Sequence, residues 1–142
     1  MICMEIEIRA YQEIDEPEVV ALWKQALGIN APHNEPTTSI RKKLEVDRDL
    51  FLVATVDGAL AGTAMGGYDG HRGWIYSVAV VPERRSLGIG TALIRKLEAE
   101  LARRGCLKIN LQVRESNVGV MDFYRKLGYE VDPVVSMGKR LY

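Results

Sequence analysis

Charged and apolar residues alternate at Glu5, Ile6, Glu7, Ile8 and Arg9, the two-residue period of a strand with one buried face. Beyond it the period lengthens. Val19, Leu22, Trp23, Ala26 and Leu27 fall on one helical stripe that Gly28 stops, and Asp15 with Glu18 ahead of them forms the D-x-x-E pattern of a capping box. The stretch INAPHNEPTTS, residues 29–39, is rich in turn formers and gives way to a short helical segment with Ile40 and Leu44 on one side. A connection this long and irregular is where binding loops tend to lie.

The middle of the chain reads as a meander. LFLVATV (50–56) and ALAGTAMGGY (59–68) flank the pair Asp57-Gly58, a strong hairpin signal. After the turn DGHRG, Trp74 to Val81 predicts a third strand, ended by Pro82. From Gly88 to Arg103 the residues Ile89, Leu93, Leu97 and Leu101 recur every fourth position with charges opposite, and Gly105 follows as the stop. LKINLQV (107–113) then alternates again. Strand, helix, strand in so short a span is a crossover, which makes the flanking strands parallel. Val118 to Leu127 predicts a last helix ending at Gly128, and YEVDPVVSMGKRLY supplies one or two closing strands.

Composition narrows the function classes. The 142 residues suit one domain, residues 1–142, with one core. Lys plus Arg and Asp plus Glu number 19 each, so no basic excess points to nucleic acid or membrane as a partner. Cys3 and Cys106 are too few for a disulfide framework or a four-cysteine zinc site, no metal site is expected, and two thiols suit a reducing compartment. The apolar runs fall short of a membrane span, and Glu5, Glu7 and Arg9 do not form a signal-peptide head, so the expectation is a cytoplasmic protein. Met137, Leu141 and Tyr142 are candidates for a subunit contact, leaving monomer and homodimer both open.

The chemistry concentrates at RRSLGIG, Arg84 to Gly90, where a strand passes into a helix. The first N–H groups of a helix lack intrahelical acceptors and the macrodipole adds partial positive charge, so phosphates bind there. Gly88 and Gly90 permit close approach, and Arg84 and Arg85 add full charges beside it. A Walker loop would need Gly-Lys-Ser/Thr, and the dinucleotide fingerprint a third glycine where this chain has Leu93. On its own the segment is either an anion cradle or a tight turn with surface arginines.

A second constellation changes that balance. VAVVPERRSLGIGTAL carries R-x-x-G-x-G at Arg85 to Gly90, and NVGVMDFYRKLGY places Tyr124 seven positions after Asn117; together, in this order, they resemble the GNAT family of acetyltransferases. The resemblance implies an α+β, three-layer fold with about four helices and a mixed central sheet of six or seven strands, splayed between strands 4 and 5. It also implies acetyl-CoA as cosubstrate, its pyrophosphate on the amides of Arg85, Ser86, Leu87, Gly88, Ile89 and Gly90, and its pantetheine arm along Val78, Ala79 and Val80. Tyr124 corresponds to the family's general acid and Asn117 to a residue touching the cofactor arm; the bland alternatives are a packed aromatic and a helix cap.

The implied reaction is direct attack of a primary amine, from a peptide, a protein or a small molecule, on the thioester. Some family members carry a glutamate base at places that hold Trp74 and Gln112 here, neither of which takes a proton at neutral pH. Deprotonating a lysine amine at pH 7 costs about 4.6 kcal/mol and an α-amine about 1 kcal/mol, so a low-pKa acceptor is favoured unless a base is supplied. Asp69, His71, His33 and Glu35 are the candidates, although turn or linker polarity is the plainer reading of each. Lys42, Lys43 and Arg48 read as a solvated face, and Arg125 and Lys126 as surface charge. The absent glutamate also permits an alternative, a non-catalytic acyl-CoA sensor, and a nucleotide-binding regulator is a third class.

Overall fold

The computed structural model describes residues 4–28 and 31–142, which fall into two compact units, residues 1–112 and 113–142. Cys3 and the start of the turn-rich stretch, Ile29 and Asn30, lie outside the described residues. In the first unit, β1 (Ile6–Ala10), β2 (Phe51–Val56), β3 (Ala59–Tyr68), β4 (Gly73–Val80) and β5 (Ile109–Leu111) form one sheet in the order β1-β2-β3-β4-β5. The first three contacts between neighbours are antiparallel and β4–β5 is parallel, as the crossover requires. The sheet thus has five strands among the described residues, fewer than the six or seven expected. The missing ones fall in YEVDPVVSMGKRLY, where no strand forms. Pro133 and Gly138 interrupt that stretch, and proline cannot donate to a ladder.

Helices cover both faces. α1 (Glu16–Ala26) and α2 (Pro36–Glu45) lie on one side, where Val19, Leu22, Trp23 and Ile40 pack with Tyr11, Phe51, Val53, Met65 and Ala79. The Tyr11 and Phe51 rings stack at 4.3 Å in the middle of this layer. α3 (Ile89–Arg103) covers the other side with its fully buried stripe of Ile89, Leu93, Ile94, Leu97 and Leu101. The predicted stripe is the observed one.

The capping box does not form as the sequence suggested. A 3₁₀ turn over Glu13–Asp15 precedes α1, and the Asp15 carboxylate accepts from the Gln12 N–H at 2.9 Å and from both terminal nitrogens of Arg9 at 2.8 and 2.9 Å. A two-pronged guanidinium partner outcompetes the helix N–H groups, and it holds the carboxyl below its usual range.

On β3, small residues let α3 come close. A Cβ at Gly62 would lie 2.9 Å from the Ala79 carbonyl oxygen and 3.2 Å from Leu93, and one at Gly66 would lie 3.0 Å from Leu97. The second unit contains α4 (Val118–Lys126), capped by Asn117 at its start. Because the Ala79 carbonyl is backbone and cannot swing aside, Gly62→Ala is expected to destabilise the protein by about 1–3 kcal/mol, measured by urea denaturation.

Candidate active site

The ladder between β3 and β4 contains one extra residue. Thr63 pairs with Ala79 and Met65 with Tyr76, so Ala64 alone on β3 stands opposite two residues of β4, a bulge over Ser77 and Val78. Ser77 takes φ +52°, in the left-handed region that side chains disfavour. A buried hydroxyl holds it there: Thr63 Oγ1 donates to the Ser77 carbonyl at 3.1 Å and accepts from the Trp23 indole N–H at 2.8 Å. Thr63 is fully buried, so both bonds form away from water.

The bulge bends β4 away from its parallel neighbour. Pairing with β5 covers only Gly73, Ile75 and the Trp74 between them, against Ile109 to Leu111, and stops there. This is the expected splay between strands 4 and 5, and the bulge is its local cause. Val81 donates its N–H to the Ala61 carbonyl of β3, so by two-residue alternation the main-chain groups of Val78 and Val80 face the edge that β5 has left. Ala79, between them, points its methyl into the α1 side of the core.

β4 then runs through a 3₁₀ turn, Pro82–Arg84, into RRSLGIG. Ser86 has φ +67° and Gly88 φ +79°, two left-handed residues that fold the chain back on the start of α3. Gly88 is the N-cap and has no side chain to offer, so the first-turn N–H groups of α3 are left without an intrahelical acceptor. Arg85, Ser86, Leu87 and Gly88 are exposed, Gly90 is half-buried, and Ile89 is the apolar anchor beneath them. The tight turn carries what an anion cradle requires: strained backbone, open amides, positive dipole and flanking arginines.

On the α1/α2 side of the opening strand lies a cavity of about 690 Å³, lined by Trp74, Tyr76 and Ser77 of β4, Gln112 after β5, Gly67, Tyr68 and Asp69 at the end of β3, Lys43 of α2, and Val46 and Asp47 just beyond α2. The two positions that lack a glutamate, Trp74 and Gln112, thus share one wall. Of the four base candidates only Asp69 reaches the lining, and its carboxylate accepts the N–H groups of Arg72 at 2.7 Å and His71 at 2.8 Å, which hold it below the usual carboxylate range. His71 is exposed on that turn. Glu35 caps α2, accepting from Thr38 N–H at 2.7 Å and Thr37 N–H at 3.2 Å, bonds that lower its pKa likewise. His33 sits in the 3₁₀ turn Pro32–Asn34 and is exposed.

Lys43 is the residue the sequence reading misplaced. It is only 5 % exposed, its Nζ donates to the Gly66 carbonyl, and it stands 5.4 Å from the centre of the Tyr76 ring. Pro36, Ile40 and Lys43 are the buried residues of α2, spaced four and three apart, so helical periodicity carried the signal and the charge masked it. Arg48, by contrast, is exposed and pairs with Glu13.

In the second unit Tyr124 is buried, with its ring edge-on to Phe123 at 5.0 Å and Tyr129 at 5.6 Å. Burial pushes its phenol up to about 12, so it keeps its proton throughout the neutral range. Asn117 Oδ1 accepts from the Val120 N–H at 3.4 Å, the cap that was its bland reading. Arg125 and Lys126 are exposed, and Arg125 pairs with Asp122 at 3.4 Å.

Residues 4–129 match the model of the acetyltransferase (GNAT) family, and the chain belongs to that family. An acetyltransferase of Yersinia enterocolitica is 47 % identical over 136 residues, 96 % of each chain. Among solved structures, the ribosomal-protein-S18-alanine N-acetyltransferase of Escherichia coli superposes with a TM-score of 0.73 at 25 % identity, covering 87 % of this chain and 77 % of that one. The aminoglycoside N-acetyltransferase AAC(6')-Iy in complex with CoA gives a TM-score of 0.81 at 18 % identity over 99 % and 98 % of the two chains, a likeness of fold. The protein is an N-acetyltransferase with a CoA-type cosubstrate. Among the described residues no helix is long and apolar enough to cross a membrane.

Thr63→Val keeps the shape of the side chain but strands the Trp23 N–H and the Ser77 carbonyl. It is expected to cost about 1–3 kcal/mol in urea denaturation, with Thr63→Ser retaining most of the stability.

Proposed function

We propose that the chain is one acetyltransferase domain that binds acetyl-CoA and passes its acetyl group to a primary amine by direct attack. The observation that carries this reading is the continuity of bulge, open strand edge and uncapped helix: the main chain of Val78 and Val80 faces a gap, and nine residues after Val80 α3 begins with free N–H groups. An extended arm bearing amides satisfies a strand edge much as another strand would, and a pyrophosphate satisfies a helix N-terminus.

In this reading the pyrophosphate lies on the amides of Arg85 to Gly90, and the pantetheine arm pairs along Val78 to Val80, with the acetyl group at the bulge. Asn117 contacts the arm. Tyr124 gives its proton to the departing thiolate, a role its protonated state at neutral pH supports. The cavity beside Trp74, Tyr76 and Gln112 takes the amine.

The test is calorimetric binding of CoA, ATP and NAD, followed by thiol release from acetyl-CoA over a panel of peptide and small-molecule amines. CoA is expected to bind tightest, and binding with no turnover of any amine would instead favour a sensor. Gly88→Val, which forces a β-branched residue to φ +79°, is expected to weaken CoA binding by roughly tenfold or more. Tyr124→Phe is expected to lower turnover by about 10²-fold or more while CoA affinity stays near that of the wild type.

A further inference from the structure

An amine that attacks a thioester must first lose a proton, and the cavity that would receive it offers few acceptors. The Asp69 carboxylate is committed to its own turn, and that of Glu35 to the start of α2. Asp47, on the lining, accepts from Arg104 Nη1 at 3.2 Å and from the Tyr68 N–H at 3.4 Å. Trp74 and Gln112 are not bases. The remaining ionisable nitrogen on the lining is Lys43 Nζ.

The surroundings of Lys43 are unusual for a lysine. Its partners are the Gly66 carbonyl and the face of the Tyr76 ring, and among the described residues no carboxylate lies within 4.0 Å of it. The charged groups that face it are Asp47 and Asp49, just beyond α2, and Arg104, at the end of α3; Tyr76 of β4 is the titratable group beneath it. Arg104 pairs with both Asp47 and Asp49, which offsets their pull on Nζ. Desolvation is the largest influence, and it pushes the Lys43 pKa down from the ordinary lysine value.

A second amine entering this cavity brings a like charge close to Nζ. Two ammonium groups cannot share a partly dry site without one of them giving up a proton, so the pair titrates as a unit and holds one proton more readily than two. Tyr76, which Lys43 overlies, immediately precedes the bulge where the acetyl group would sit.

We propose that Lys43 is the proton acceptor of the transfer: its neutral amine takes a proton from the incoming ammonium, whose freed lone pair attacks the thioester carbonyl. This rests on the acyl-transfer reading above. One N–H bond of the acceptor breaks as a new Nζ–H bond forms, then C–N forms and C–S breaks with the electron pair leaving on sulfur. The nitrogen sheds a second proton as the amide forms, which balances the proton taken up by the thiolate. Lys43 returns its own to water. The arrangement supplies in a lysine what a glutamate at the Trp74 or Gln112 position would have supplied. It extends the acceptor range beyond low-pKa amines.

Two measurements test it. In the wild-type protein labelled with ¹³C at lysine Cε, the Lys43 resonance, identified by its contact with the Tyr76 ring, is expected to titrate below the other lysines. In rate measurements from pH 6 to 10, Lys43→Arg and Lys43→Gln are both expected to lose about 10²-fold or more in kcat/KM at pH 7, the deficit shrinking as pH rises and free amine accumulates, with CoA affinity unchanged. A Lys43 midpoint that coincides with the other lysines, or a Lys43→Arg variant with the wild-type rate and profile, overturns the proton-acceptor role alone. Failure of the wild-type protein to bind CoA overturns the acyl-transfer reading and this role together.

Discussion

The structure turns on one hydroxyl. Thr63, in the middle of the sheet, receives the Trp23 indole N–H from the helix above it and gives its own proton to the Ser77 carbonyl on the next strand. Without a partner at that carbonyl, a non-glycine residue at φ +52° would have little reason to stay in an otherwise regular ladder. Held there, it adds a residue to β4, bends the strand, ends its pairing with β5 after Ile75 and exposes the main chain of Val78 and Val80. A contact within the core therefore determines where the sheet is open.

The same economy governs charge. Most carboxylates near the cavity are committed to structure: Glu35 to the first turn of α2, Asp69 to a tight turn and Asp47 to Arg104. For Glu35 and Asp69 the N–H bonds favour the ionised form and the pKa falls, which makes them good scaffold and weak bases. Lys43 is the opposite case, an amine brought in by its helix stripe and left with a carbonyl and an aromatic face.

Much of this was legible in the residues. The four-residue repeat of α3, the Asp57-Gly58 hairpin, Pro82 after β4 and Gly88 at the turn into α3 are local signals, and local physics honours them. What was not legible depended on partners outside the residue's own helix or strand. Asp15 looked like a cap until Arg9 came across from β1, and Ser77 carries no glycine-like mark because its conformation is enforced by Thr63, 14 residues earlier. Lys43 was read by its charge and not by its place in the stripe. The tail after α4 has apolar residues enough for a strand, but Pro133 removes a donor and the alternation breaks at Val134-Val135.

The extra residue in β4 also sets what length changes the chain can absorb. Up to Tyr76 the strand presents one phase to its two helical layers, and from Ala79 onward it presents the other. Deleting a single residue at the bulge would restore one phase throughout, leaving Tyr76 opposite Met65 and Ala79 opposite Thr63 in an unbroken ladder, and the left-handed turn at Ser77 that interrupts β4 would be lost. Loops elsewhere can lengthen or shorten; here the count of residues is itself part of the design.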